Sequence, residues 1–269
     1  MLHQSLFTSY SDGWSTKYEG ALVGYNAGII NNIEVSGEVK TTITGSTGWN
    51  LNVGGVIGYN TREISNIVNK ASVTGVGFTG GIVGDSTGAI NNAENHGTIV
   101  ANCTYKIYIG GIVGRSTANI TQVKNTGEIE GTYSGTSSIG YIGGIAGHTK
   151  GTITEAENSG TVIATGKSNS IGGIVGYVDQ STSTITEVTN SGSIISNGTD
   201  SGYMGSAGGI VGENIGSISN VENYGTVTSM KNSYVGGIVG RSINTISNAK
   251  NIGKIEGKQA HKEIVKVQY

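Results

Sequence analysis

The stretch Gly208-Gly209-Ile210-Val211-Gly212, with Ile218-Ser219-Asn220-Val221-Glu222-Asn223-Tyr224-Gly225-Thr226-Val227 close behind it, decides the fold. Its first half is a marker that recurs, imperfectly, with its first glycine at Gly20, Gly54, Gly80, Gly110, Gly143, Gly172, Gly208 and Gly236. The chain is therefore read as eight copies of one unit of about 31 residues, with marker spacings that vary from 26 to 36, and recurrence on that scale is the signature of a stacked repeat architecture.

The second half keeps a stricter register. From its isoleucine it runs to a small apolar residue, then to asparagine (Asn69, Asn95, Asn125, Asn158, Asn190, Asn223 and Asn251, with Val35 in the first copy). Glycine follows two residues later (Gly97, Gly127, Gly160), and valine or isoleucine two after that (Ile99, Ile129, Val162). Steps of two are strand periodicity. The alternate positions are polar, as in Glu94-His96-Thr98. Each unit is thus expected to hold about three short strands: one on the marker, one from the isolated isoleucine, one ending at the Gly-x-Ile step. A single unit cannot bury its apolar face, but a stack can. The expected fold is all-β: a single parallel β-solenoid, or β-helix, of about eight coils, with right-handed winding from the handedness rule for parallel crossovers. Residues 1–19 are expected to form an N-terminal cap, 20–257 the eight-repeat solenoid and 258–269 a C-terminal edge strand.

Composition agrees. Glycine is 47 of 269 residues and proline is absent, as expected where nearly every backbone N–H enters a ladder. The asparagine file is assigned a structural role, because a buried amide at a corner can bond to freed backbone groups and to its stacked neighbours.

The marker and the second block together resemble the GLUG repeat, over residues 20–257. The resemblance implies a bacterial surface or secreted protein, as in the non-catalytic repeat regions of some immunoglobulin A-cleaving metallopeptidases and adhesin-like proteins. It implies an adhesin or stalk role, with a glycan or a host or cell-surface protein as partner. Peptidase activity does not carry over, because the chain has no His-Glu-x-x-His zinc motif.

Chemistry is sparse. A net charge of −2 gives no bulk attraction to nucleic acid. No apolar run approaches a membrane span, and Met1 to Phe7 lack the basic and apolar regions of a secretory signal. No catalytic residue, cofactor or metal site is expected: His3, His96, His148 and His261 are scattered, and Cys103 has no second cysteine to pair with. Glu155, Glu157 and Glu187 fall on adjacent copies, and paired carboxylates are what a glycan-cleaving β-helix lyase or hydrolase needs; a solvated charged face is the alternative. The small polar file Asn31, Ser65, Asn91, Thr121, Thr154, Thr186, Ser219 and Ser247 allows an ice-binding or self-assembling surface. More suggestive are the aromatic residues two positions before the marker: Tyr18, Phe78, Tyr108, Tyr141 and Tyr234, five of eight copies in a chain that is 6% aromatic. They form either a stacking platform for a ligand or a packing column under the variable connectors.

Overall fold

The computed structural model describes residues 5–6, 16–41, 51–104, 107–135, 140–167, 169–199, 205–230 and 234–257. Among them there is no helix. The chain is a parallel β-solenoid in which each coil contributes to four sheets. The second coil shows the pattern: Leu51–Gly54 enters sheet I, Ile57–Asn60 sheet II, Ile64–Asn69 sheet III and Ser72–Gly75 sheet IV. Sheets I, II and III are eight strands deep and sheet IV is nine. Equivalent residues lie side by side on neighbouring coils, as in the pairs Phe78–Tyr108 and Tyr108–Tyr141.

The coil has four strands where three were expected, because the marker is two strands and a bend. One strand ends at Gly143, and the next starts at Ala146. A methyl group at Gly144 would lie 2.0 Å from the Gly173 carbonyl oxygen and 2.4 Å from Cγ of Asn158. The bend therefore presses backbone against the asparagine file, and only glycine fits there.

That contact divides the interior in two. Sheets II and III enclose one core, with Ile57, Ile64, Ile67, Ile82, Ile90 and their equivalents fully buried. Sheets I and IV enclose the other, with Val53, Val73, Ile99, Ile109 and Ile129. Cys103, at the end of the strand Ile99–Cys103, packs into this second core. Each fully buried isoleucine stabilises the stack by roughly 1.5–3 kcal/mol relative to exposure.

The asparagine file sits at the waist between the cores. Each amide donates to the backbone carbonyl two residues on and to the amide oxygen of the next coil. The inter-coil distances are 2.8 Å for Asn69 to Asn95, 2.7 Å for Asn95 to Asn125 and 2.8 Å for Asn125 to Asn158. The same 2.8 Å separation carries the file through Asn190 and Asn223 to Asn251. A second, mixed file of Asn26, Asn60, Ser86, Ser116, Thr149 and Asn214 turns the corner from sheet II to sheet III with the same bond to the carbonyl two residues on.

Sheet III contains a second departure from simple alternation. Its isoleucine and the apolar residue three later both point inward, as in the pair Ile90 and Ala93. The residue between them that restores the phase is left-handed on every coil: Asn32, Asn66, Asn92, Gln122, Glu155, Glu187, Asn220 and Asn248, with φ from 48° to 56°. Asparagine tolerates this region, whereas a glutamate there is strained. Glu187→Asn should accordingly raise stability by about 0.5–1 kcal/mol, read as a higher urea midpoint. A lower midpoint would mean that the glutamate is not strained.

The first coil opens at Lys17, inside the segment expected to be a cap, so that Tyr18 already belongs to sheet I. The strand Ser5–Leu6 adds the ninth strand of sheet IV, parallel to Val39 and Lys40. The edge strand expected over 258–269 lies outside the described residues, as do the central parts of several variable connectors.

Candidate functional site

Sheets I and II meet at the marker bend, and their outer faces turn toward each other there. The marker's third glycine sits at the root of this angle. A methyl group at Gly147 would meet the Ile109 nitrogen at 2.5 Å, so sheet II packs there directly on the backbone of sheet I. Farther out, two files of side chains line a groove along the rod. Sheet I supplies Tyr18, Asn52, Phe78, Tyr108, Tyr141, Ser170, Ser206 and Tyr234. Sheet II supplies Tyr25, Tyr59, Asp85, Arg115, His148, Tyr177, Glu213 and Arg241.

The two files touch. At the first coils Tyr18, Tyr25 and Tyr59 form a ring cluster with centroids 5.1–5.9 Å apart. In the middle Phe78 stacks on Tyr108 at 4.7 Å, and Tyr108 on Tyr141 at 5.3 Å. His148 lies flat against Tyr108 at 4.9 Å, and Tyr177 meets Tyr141 at 4.8 Å with the ring planes tilted by 36°. Arg115 covers the Phe78 ring at 4.7 Å while forking onto Asp85, with Nε at 2.9 Å and Nη2 at 2.6 Å from its oxygens. Toward the last coils the sheet I file is small, Ser170 and Ser206, opposite the ion pair of Glu213 and Arg241.

Asp179, just past sheet II, gathers the polar groups of the middle section. It accepts from the Tyr177 hydroxyl at 3.0 Å and from His148 Nε2 at 3.2 Å, with Lys150 Nζ at 3.4 Å. Burial would raise its pKa, but these donors outweigh burial and hold it below the usual carboxylate value. Burial pushes the Tyr108 hydroxyl up to about 12 and raises those of Tyr141 and Tyr177 as well. The effect on His148 runs downward. The residue is 4% exposed, and its Nδ1 is buried without a hydrogen-bond partner. Burial drives its pKa down to about 4 against the pull of Asp179, helped by Arg115 and Lys150.

Of the aromatic residues expected from the sequence, Phe78, Tyr108 and Tyr141 stack on one another, Tyr18 clusters instead with Tyr25 and Tyr59, and Tyr234 lies three coils beyond Tyr141, past Ser170 and Ser206; they are not equally accessible. Phe78 and Tyr108 are buried among the other rings. Tyr18, Tyr141 and Tyr234 are half-buried. Sequence reasoning missed the sheet II file, including Tyr25, Tyr59, His148 and Tyr177. A signal was present: the residue directly after the marker is large or charged in all eight copies.

The carboxylates Glu155, Glu157 and Glu187 lie on the outer face of sheet III, away from the groove. Glu155 accepts from Gln122 at 3.0 Å, and Glu157 pairs with Lys124 at 3.3 Å. His96 is likewise a surface group, bonded to Glu94 and Thr126. Among the described residues, no three His, Cys, Asp or Glu side chains gather as a metal site would require. No family model matches the chain, and neither a curated protein nor a solved structure does.

Proposed function

We propose that the protein is a non-catalytic rod that binds an extended glycan along the groove between sheets I and II, as an adhesin or stalk at a cell surface or in secreted form. The observation that carries this reading is the confinement of stacked rings, among the described residues, to one groove. Tyr141, Tyr177, Tyr18 and Tyr59 keep part of each ring open, and Tyr25 is 52% exposed. Flat ring faces beside fixed polar groups suit sugars, whose C–H faces stack while their hydroxyls bond to neighbours. Asp179 and Lys150 provide such groups beside Tyr177. The surface or secreted setting rests on the resemblance to the GLUG repeat.

The test is a glycan array followed by titration of the best hit. Replacing Tyr141 and Tyr177 together by alanine should weaken binding at least about tenfold, the loss of about 1.4 kcal/mol of ring contact. Tyr108→Ala is a poor probe, since that ring is core to the groove. Undiminished binding by the double variant would sink the groove as the site.

A further inference from the structure

One copy of the repeat departs from the others at the groove. Ile185 follows Gly176 by nine residues, where the other seven copies keep six between the marker's last glycine and the isoleucine. The extra residues fall between sheets II and III, directly after Asp179. They form an exposed turn over Gln180, Ser181 and Thr182, closed by the Ser183 N–H on the Gln180 carbonyl at 3.2 Å. The Ser183 hydroxyl ties the foot of the turn to the Lys150 carbonyl of the preceding coil at 2.9 Å. A turn added to one copy of a constant scaffold marks a place where the scaffold is put to use. Here it adjoins Asp179 and Lys150, at the rim of the groove.

Hydrogen-bonding capacity is left over at that point. A carboxylate offers roughly four lone-pair sites. Asp179 receives Tyr177, His148 and Lys150, and 29% of its side chain is still accessible. An ammonium has donors beyond the one aimed at Asp179, and the Lys150 side chain is 42% accessible. An open acceptor and open donors therefore stand together, next to the partly open ring of Tyr177.

We infer, on the reading of the groove as a glycan site, that this spot selects a neutral sugar with vicinal hydroxyls and that Asp179 determines the choice. A hydroxyl both donates and accepts. One of a neighbouring pair can donate to Asp179 while the other accepts from Lys150, with the sugar's C–H face on Tyr177. A sugar carboxylate does not fit the same place. Reaching Lys150 would bring it against the Asp179 carboxylate, a like-charge contact. The rest of the groove offers no relief. Among the described residues its other cations are already engaged, Arg115 by Asp85 and Arg241 by Glu213. Buried His148 is uncharged near neutrality, and the sheet I file carries no charge.

Calorimetric titration of the full chain tests this, with oligosaccharides of mannose, glucose and galactose against oligogalacturonate of matched length. The wild type should bind at least one neutral series about tenfold more tightly than oligogalacturonate. Asp179→Asn removes the acceptor's charge and releases Lys150. It should weaken the neutral sugar about tenfold, the worth of one hydrogen bond to a charged group, and narrow or reverse the preference. Lys150→Met keeps the Tyr177 and His148 bonds to Asp179 and leaves the carboxylate without its counter-charge. It should weaken both ligands and widen the preference. Loss of structure does not produce shifts in opposite directions. Should Asp179→Asn fail to fold, as its thermal transition would show, the widened preference of Lys150→Met decides alone. A wild type that prefers oligogalacturonate would overturn the inference while leaving the groove as a glycan site. So would an unchanged preference in any variant that folds. Binding of neither class by the wild type would overturn the glycan reading itself, and with it this selection.

Discussion

Replacing Asn158 by leucine should destabilise the rod by on the order of 4 kcal/mol. Asn158 is 1% exposed and stands in the middle of the waist. Its Nδ2 donates to the Gly160 carbonyl at 2.9 Å and to Oδ1 of Asn190 at 2.8 Å, while its Oδ1 accepts from Asn125 at 2.8 Å. Leucine has a similar shape but none of this chemistry. It orphans an N–H of Asn125, the carbonyl of Gly160 and an acceptor site of Asn190, each at a cost of about 1–3 kcal/mol when buried. The waist cannot relax to admit water or a larger group, because Gly144 lies against the Asn158 side chain on the other side. The file supplies its own control. Asn251 is its exposed last member, accepting from Asn223 and donating to the Gly253 carbonyl. Asn251→Leu should therefore cost less than about 1 kcal/mol.

Urea unfolding reads the difference directly. Because each coil contacts only its neighbours, a weak coil in mid-stack also lowers the coupling between the two halves. The Asn158→Leu transition should accordingly broaden or split, with hydrogen exchange fastest at the amides around Gly127, Gly160 and Gly192. Equal losses at Asn158 and Asn251 would show that the bonds within the file contribute little and that only local packing is felt.

How far the sequence revealed this arrangement depends on how simply each column repeats. The solenoid, its parallel pairing and the asparagine file are legible because one residue type recurs at one register: Asn125, Asn158 and Asn190 perform the same bonding on every coil. The fourth strand is less legible. Gly143 and Gly144 look like part of one apolar strand until close backbone packing is considered, and that packing involves Gly173, on the following coil. The left-handed column was hidden by chemistry that does not match its geometry, since Gln122, Glu155 and Glu187 share the conformation of Asn92. The groove was half legible. Its sheet I file is read from rings at a fixed offset. Its sheet II file mixes Tyr59, Asp85, Arg115, His148 and Glu213, which share only size and position. Their common role appears once the two outer faces are known to meet. The contact of His148 with Asp179 is the extreme case: each residue belongs to a different coil, and no periodicity links them.

That contact sets the second large effect, a loss of stability on acidification centred on His148. An ordinary histidine titrates near 6.5, whereas His148 in the folded rod titrates at about 4. Between those values the unfolded chain binds the proton and the folded chain does not, so stability rises with pH across that window. The contribution is fully present above pH 6.5 and is lost as pH falls to about 4, where it levels off. The difference corresponds to about 3 kcal/mol. With the residue 4% exposed, solvent offers little relief. The physical reason is specific. Donation from Nε2 to Asp179 leaves Nδ1 as a buried lone pair, and a proton there would gain no acceptor while sitting near Arg115 and Lys150. Asp179 acts in the same sense but at lower pH, since its carboxylate is held below the usual range and loses its partners only when protonated. His148→Phe keeps a ring against Tyr108 and removes the titration. At pH 7 the variant should be about 1 kcal/mol less stable, having lost the bond to Asp179. Near pH 4 it should be the more stable protein by roughly 2 kcal/mol, so the two curves of urea stability against pH should cross. Parallel curves would show that protonation of His148 is accommodated, by movement of Tyr108 or entry of water, and that the groove is softer at its centre than its stacked rings imply.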